Sequence, residues 1–417
     1  MLGSARSIEP ESRLRGGAVR RSRWWDGRGS LDSRRELGRA LLNYKSLVAQ
    51  HLEQYGIGVD TGNPWDVKVR DERFFRRAAL GRQLGFAESY MDGDWECDAL
   101  DQFTDRLLLG LPSSDLHKRP HEWLEHLGSR IMSRWTRLNV SRRVAPHYNL
   151  GNDLFEAILD RDYMAYTCGY WRAGAETLEE AQRAKLDLIC RKLGLEEGMR
   201  VLDIGCGWGP FAKYAAENHG VSVDGVTLSV RQAELGMERC AGLPVKLEVK
   251  DYRDVEGEYD RIVSVGCLEH IGHKHHRTFF ETINRTLRQG GRALVHSFGV
   301  HKSQYIVGGF YEKYVFPLVN LPSVEQIGRA VDGLFIVEDV HNFGPDYDPT
   351  LMEWNRRFQQ AWPELEAGYG EMLDGRFKRM FEFYLLCTAG YMRSRTGQIW
   401  QWVLTRPGTP QPECRFS

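Results

Sequence analysis

Apolar residues recur at helical spacing over 34–55, where Leu37, Leu41, Leu42, Leu47, Val48 and Leu52 share one face, and this predicts a helix. The pattern changes to strict alternation in Trp65-Asp-Val-Lys-Val69, the signature of a strand, and returns to helical spacing over 74–84. Tyr90-Met-Asp-Gly-Asp-Trp95 carries the Asp-Gly pair of a turn, and helical spacing resumes over 100–111 and 121–138. The stretch to about residue 125 therefore reads as a small, mainly helical domain with some strand. From about residue 178 the pattern is different in kind. A helix over 178–193 leads to a strand at 200–204, a helix at 211–219 and a strand at 221–227. A helix at 230–240, strands at 245–249 and 260–265, a helix at 275–287 and a strand at 292–297 follow. Such alternation predicts an α/β fold with a doubly wound, mostly parallel sheet covered by helices on both faces.

Composition narrows what this chain can do. Lys and Arg number 56 against 57 Asp and Glu, a net charge of −1, so no global field draws nucleic acid to it. No apolar run approaches the roughly 20 residues that cross a bilayer. Residues 1–33 are rich in Arg, Gly and Ser without an apolar core and read as a disordered basic arm, not a secretory signal. At 126–145 a connector carries Arg130, Arg134, Arg137, Arg142 and Arg143 interleaved with Trp135 and Leu138. Two readings stand for it: a solvated helix face, or an amphipathic basic segment meeting phospholipid head groups, where each cation contributes about 1 kcal/mol. The eight cysteines (97, 168, 190, 206, 240, 267, 387 and 414) form no CxxC pair, which argues against structural zinc and for a reduced, cytoplasmic protein. His273, His275 and His276 open a helix beside Lys274 and read as solvated, so no metal site is expected.

The candidate chemistry begins at Val201-Leu-Asp-Ile-Gly-Cys-Gly-Trp-Gly209. A short apolar strand breaks there into alternating glycines, Gly205, Gly207 and Gly209, with Cys206 among them, and a helix follows. Backbone without Cβ atoms at a strand's carboxyl end lets a nucleotide-like ligand approach closely. The spacing lacks the third glycine of the dinucleotide fingerprint, and Asp203 before it suits S-adenosylmethionine (SAM); a dinucleotide site and a purely structural turn stay open as alternatives. Thr227, Leu228, Ser229 and Gln232 follow the next strand as neutral groups able to grip ribose or an amino-acid tail. Asp251 and Tyr252 follow the one after, suited to an adenine amine and ring. Glu269, in Cys267-Leu-Glu-His-Ile271, and His296 end two further strands, where a buried carboxylate and imidazole are costly unless they form a site.

Taken in order, the motifs resemble those of the cyclopropane-fatty-acyl-phospholipid synthases. They include Ala87-Glu-Ser-Tyr-Met-Asp-Gly93, Trp95-Glu-Cys97, His147-Tyr-Asn-Leu-Gly-Asn-Asp153 and Tyr163-Met-Ala-Tyr-Thr-Cys-Gly-Tyr-Trp171. The glycine loop, Gly225-Val-Thr-Leu-Ser229, Glu269-His-Ile-Gly272 and His296-Ser-Phe-Gly299 continue the series. His341-Asn-Phe-Gly-Pro-Asp-Tyr-Asp348 and Phe381-Glu-Phe-Tyr-Leu-Leu-Cys-Thr-Ala-Gly390 complete it, so the similarity runs from about residue 40 to 405.

The resemblance implies a SAM-dependent methyltransferase (Rossmann-like) catalytic domain at 146–405, a lipid-binding domain at 34–125, the basic linker at 126–145 and a tail at 406–417. It implies transfer of the SAM methyl carbon to a cis double bond of a phospholipid acyl chain. A carbocation-like intermediate would then lose a proton to a bound bicarbonate ion as the cyclopropane ring closes. Catalytic positions carried over are Cys168, Glu269, His296, Tyr347 and the Phe298 backbone around the ion, with Cys387 ranked below them as a packed thiol. Tyr166 and Thr167 match a pair that closes over the cofactor. Some aromatics of 309–316 and 377–384 would line an acyl channel. Pro210, Phe211, Cys267, Leu268 and Phe298 depart from the common pattern and bear on pocket shape. A homodimer, peripheral association with the inner face of a membrane and an unsaturated phospholipid partner are expected. The rivals are an enzyme leaving a methyl or methylene branch, a small-molecule N-methyltransferase, and a lipid carrier with no need of this site.

Overall fold

The computed structural model describes residues 44–110, 152–303, 309–317, 319–370 and 373–416. The arm at 1–33, the helix expected over 121–138, the basic linker at 126–145 and the His147 motif as far as Gly151 lie outside those residues. Residues 44–53 are helical, with Val48 and Leu52 of the expected apolar face buried. The strand expected at 65–69 shortens to β1 (Lys68–Val69), which pairs antiparallel with β2 (Trp95–Glu96). Between them α1 (Arg73–Met91) extends past the expected 84 and is broken at Arg82, where φ is 51°. Buried Trp95 anchors this region: its indole N–H donates to the Phe86 carbonyl and to Ser89 Oγ, both at 3.1 Å, and its ring meets Phe74, Phe86, Tyr90 and Phe103. α2 (Leu100–Gly110) follows.

The described chain resumes with α3 (Asn152–Ile158) and α4 (Leu178–Leu193). Thr177 caps α4 through a full capping box with Glu180, and Gly194 ends it in the left-handed conformation, so both ends of this helix are fixed by local chemistry. Then come β3 (Arg200–Ile204), α5 (Pro210–His219), β4 (Ser222–Thr227), α6 (Val230–Arg239), β5 (Val245–Val249), β6 (Tyr259–Val265), α7 (His276–Thr286) and β7 (Leu287–Val300). The chain continues through α8 (Val324–Val331), β8 (Ile336–Asn342), α9 (Tyr347–Tyr369), α10 (Gly375–Arg393) and β9 (Gly397–Thr405). Seven strands form one sheet in the order β5-β4-β3-β6-β7-β9-β8. β3 to β7 run parallel, and β9 is antiparallel between β7 and β8.

The parallel strands match the alternation in the sequence. The antiparallel pair at the far edge does not announce itself: all nine residues of β9 are buried, so it has no polar face to alternate with. The described residues from Tyr44 onward belong to one compact unit, in which α10 packs against α1 and α2 and against β9 of the sheet. A Cβ at Gly390 would fall 2.2 Å from the Asp101 carbonyl oxygen, so α2 and α10 touch backbone to backbone there. Arg393 ties Asp101 of α2 at 2.7 Å to Asp348 of α9 at 2.8 Å, and Arg379 donates to the carbonyls of Tyr90 and Trp95.

Candidate active site

Beyond β3 the three glycines of the loop all take positive φ, 81° at Gly205, 55° at Gly207 and 76° at Gly209. A Cβ at Gly205 would lie 2.6 Å from that of Cys267, which packs beneath the turn, whereas one at Gly207 would meet nothing within 4 Å. Glycine is thus required by contact at the first position and leaves an open face at the second. The N–H groups of Gly205 and Cys206 donate to the Val226 carbonyl at 2.9 and 3.1 Å, which docks the loop onto β4. Pro210 takes the first position of α5, where no N–H is needed, and Phe211 turns into the core. Trp208 leans back on Phe155 with ring centres 4.9 Å apart and donates to Asn152 Oδ1 at 3.1 Å. Asp203 is buried beside this loop, and desolvation pushes its carboxyl up to about 7.

At the end of β4 the Thr227 hydroxyl donates to Gln232 Oε1 at 3.2 Å and accepts the Ser229 N–H at 3.3 Å. Ser229 caps α6 by accepting the Gln232 N–H, and Leu228 between them is partly exposed. Past β5, Asp251 receives Arg253 in a two-pronged contact at 2.9 and 2.5 Å, and that guanidinium holds its carboxyl below the usual range. The Tyr252 ring stands edge-on to Phe279 at 5.5 Å. An open glycine turn, neutral polar groups after β4 and an ionised, hydrogen-bond-accepting carboxylate after β5 are chemically suited to the amino-acid tail, ribose and adenine amine of SAM in turn.

The second cluster forms where β6 and β7 end side by side. At Gly266 (φ 72°) the chain turns into a short 3₁₀ segment, Leu268–His270, that presents Glu269 to β7. Glu269 accepts the Ser297 hydroxyl at 3.1 Å and the Phe298 N–H at 3.4 Å. Burial nevertheless outweighs these bonds and raises its carboxyl to about 7. His296, 1% exposed, has both ring nitrogens buried without a hydrogen-bond partner among the described residues. Burial first, then the Lys185 and Lys192 cations, holds it well below its ordinary range, so it stands neutral. A Cβ at Gly266 would meet Thr167 Cγ2 at 2.9 Å and Glu269 Oε1 at 3.8 Å, which places the Thr167 segment against the carboxylate.

That segment, the Tyr163–Trp171 motif, is a strap held from below. Asp160 accepts the N–H groups of Tyr163, Met164 and Ala165 at 2.7, 3.1 and 2.7 Å. Gln182 Nε2 donates to the Thr167 carbonyl at 2.7 Å, and Lys185 Nζ donates to Thr167 Oγ1 at 2.7 Å and to Gln182 Oε1 at 2.6 Å. At the far end Gly169 N–H donates to Thr350 Oγ1 and Trp171 N–H to Asp346. Cys168 lies buried in the strap with its thiol pushed well up by desolvation, so it remains a neutral hydrogen-bonding group, and it donates to the Gly169 carbonyl at 3.2 Å. Tyr166 meets the Tyr384 hydroxyl at 3.1 Å and the rings of Phe155 and Trp354. Tyr347 opens α9 with its ring between Phe298 and Trp354, 5.8 Å from each.

Glu269, His296, Phe298 and Tyr347 are thus linked through adjacent strand ends and ring contacts, with the Cys168 strap alongside. Cys387 sits elsewhere, on α10, buried and hydrogen-bonded to Thr104 of α2, with its thiol pushed up by burial. Asp160, Gln182, Lys185, Asp346 and Thr350 escaped the sequence reading. A signal existed for two of them: Gln182 and Lys185 occupy the same helical stripe as Leu178, Ala181 and Ile189, polar residues in a register that faces inward. Among the described residues no group of three or more His, Cys, Asp or Glu is placed to hold a metal.

Asp203 and Glu269 have folded-state pKa values above their unfolded ones, so each favours folding at low pH and loses that contribution as pH rises through about 7. The buried histidines His276 and His296 act oppositely, but only below their ordinary 6.5. Cofactor-free protein is therefore expected to gain about 1 kcal/mol per carboxyl between pH 8 and pH 6.5. Thermal unfolding at the two pH values checks this, and Asp203→Asn should remove its share of the difference.

The chain is similar to known proteins over most of its length. Residues 136–402 match the family model described as mycolic acid cyclopropane synthetase. The chain is 44% identical to the cyclopropane-fatty-acyl-phospholipid synthase of Escherichia coli over 364 residues, covering 87% of this chain and 94% of that protein. It is 34% identical to the tuberculostearic acid methyltransferase of Mycobacterium tuberculosis, covering 82% and 83%. Among solved structures, the cyclopropane synthase MmaA2 of Mycobacterium tuberculosis superposes with a TM-score of 0.59 at 29% identity, covering 64% of this chain and 98% of that one. A mycolic acid cyclopropane synthase, CmaA1, solved with SAH and CTAB gives the same TM-score at 30% identity, covering 64% and 98%. The fold is the Rossmann-like fold of SAM-dependent methyltransferases, and the chain belongs to the mycolic acid cyclopropane synthetase family.

Proposed function

We propose that this enzyme transfers the methyl carbon of SAM to the cis double bond of a phospholipid acyl chain and closes a cyclopropane ring. The observation that carries the reading is the buried cluster of Glu269, His296 and the Phe298 N–H beside the Thr167 strap. SAM, when bound, supplies an electrophilic methyl group. Gly205, Gly207, Gly209, Asp203 and the groups after β4 and β5 hold it. An alkene is a weak nucleophile, so the strap and the aromatic wall of Tyr166, Tyr347 and Tyr384 serve to align it and exclude water. The positive charge that then develops on the acyl chain is relieved by losing a proton from the incoming carbon.

His296 offers two unsatisfied ring nitrogens and Glu269 a carboxyl near half-protonation, with a backbone N–H beside them. Such a set suits a small planar ion that both donates and accepts, and bicarbonate held there supplies a mild base. Tyr347 and Cys168 border this place and orient what sits in it. We place lipid binding in 34–125 with the basic linker at 126–145, at a membrane surface engaged by a homodimer. Among the described residues no helix is long and apolar enough to cross a membrane.

A second reading has a specific observation behind it: a relative named as a tuberculostearic acid methyltransferase shows that close similarity extends to a differently named product. The likeness to coclaurine N-methyltransferase, at 20% identity, is one of fold alone. Incubation with SAM and vesicles of cis-unsaturated phospholipid, with acyl products read by mass spectrometry, separates the two. Gain of one CH2 unit with loss of the alkene is expected. A saturated methyl branch or a retained double bond would support the second reading, and no transfer to lipid would contradict both.

A further inference from the structure

One face of the sheet carries a polar row that starts at His296 of the site and continues beyond it through residues given no role so far. His296 of β7 stands opposite Gln401 of β9, and Gln401 stands opposite His341 of β8. Directly paired residues of antiparallel strands point to the same face, so the three side chains form one continuous line across three strands. Gln401 is 0% exposed, and neither its amide nitrogen nor its oxygen has a hydrogen-bond partner among the described residues. The same holds for both nitrogens of His296 and for Nδ1 of His341. His341 differs in one respect: Nδ1 is buried while the residue as a whole is partly exposed. Five orphaned polar atoms in one row are far outside native practice unless water links them, since each would otherwise cost about 1–3 kcal/mol.

We propose that His296, Gln401 and His341, bridged by water, form the route by which the proton lost at the reacting centre leaves the protein. This rests on the cyclopropanation reading. There, SAM and alkene give the thioether product, a cyclopropane and one proton, and that proton must exit a site closed to bulk water. It passes to one ring nitrogen of His296 as the other nitrogen gives up its own to water. Gln401 holds that water by both its donor and its acceptor, and His341 Nδ1 receives the proton inside while Nε2 releases one outside. Phe343 lines the row, its ring 5.5 Å from that of His296 and 5.3 Å from that of His341, and Tyr170 stands edge-on to His341 at 5.7 Å. The charged groups facing His296 are Lys185 and Lys192 of α4; those facing His341 are Lys192, Asp339, Arg172 and Asp346. Lys192 is paired with Asp339 at 3.1 Å beside the exit. Burial first, and then the cations on the α4 side, favour neutral imidazoles at rest, the state in which each can accept one proton and return another.

The first test needs neither cofactor nor lipid. Exchange of the His296 ring proton with water, followed by NMR of full-length protein carrying labelled histidine, is expected to slow about tenfold or more in Gln401→Leu. It should remain near the wild-type rate in Gln401→Glu, which still binds water. Wild-type exchange in Gln401→Leu, or equal slowing in both variants, would overturn the route. The second test compares first and later turnovers. Gln401→Leu and His341→Phe should keep the first methyl transfer within about twofold, while steady-state turnover falls about tenfold. Equal loss in both phases would mean that His296 has been misplaced and would overturn the proposal. Absence of any methyl transfer by the wild-type enzyme would fail the reaction reading itself, and with it the role given to this route.

Discussion

Glu269→Gln is expected to lower turnover by about a hundred- to a thousandfold, the range that a misplaced or absent proton acceptor costs, and to leave SAM affinity within a few-fold. The substitution preserves shape: the amide oxygen can accept the Phe298 N–H where Oε1 stood, and the amide NH2 can donate to the Ser297 hydroxyl oxygen where Oε2 accepted from it. What it removes is a carboxyl that burial has raised to about 7, poised to hold or release a proton near neutrality. The glycine loop and the groups after β4 and β5 are untouched. Calorimetry for SAM binding together with steady-state turnover decides the matter: joint loss of both would place Glu269 in the cofactor site.

Alanine at Asp160 is expected to destabilise the fold by about 2–5 kcal/mol, as the buried N–H groups of Tyr163 and Ala165 lose their acceptor at once, while that of Met164 keeps the Asp160 carbonyl at 3.0 Å. The N–H groups of Tyr163, Met164 and Ala165 all converge on this carboxylate, and Met164 holds a positive φ of 58° that the arrangement enforces. Asp160 is also the carboxylate that offsets the buried charge of Lys185, whose own burial pulls its ammonium down to about 8. Losing it loosens the segment that carries Tyr166, Thr167 and Cys168, so activity should fall even where the protein remains folded. Chemical denaturation measures the first effect. A loss under about 1 kcal/mol would contradict the account, since that is the scale of one ordinary hydrogen bond.

These two residues mark where sequence and structure part. Glu269 was readable because its chemistry is local: a carboxylate and imidazole just past an apolar strand advertise a cost that must be met. The glycine loop was readable for the same reason, its spacing being the turn itself. Asp160 was not, because its role is to accept backbone donors, and backbone carries no mark in the sequence. Lys185 is a cation at a buried helix position, visible as an anomaly only once the inward face of α4 is known. β9 hid because both its faces are covered, and with it went the pairing of His296, Gln401 and His341. The parallel half of the sheet was legible from alternation, and the antiparallel edge was not.

The central claim is that the buried cluster takes a proton from the incoming methyl carbon. SAM bearing a fully deuterated methyl group, supplied with cis-unsaturated phospholipid vesicles, tests it most directly. The account predicts acyl products that retain two of the three deuterons in a ring carbon, formed at a rate that collapses in Glu269→Gln. Products retaining all three deuterons, in a saturated chain or beside a surviving double bond, would contradict it.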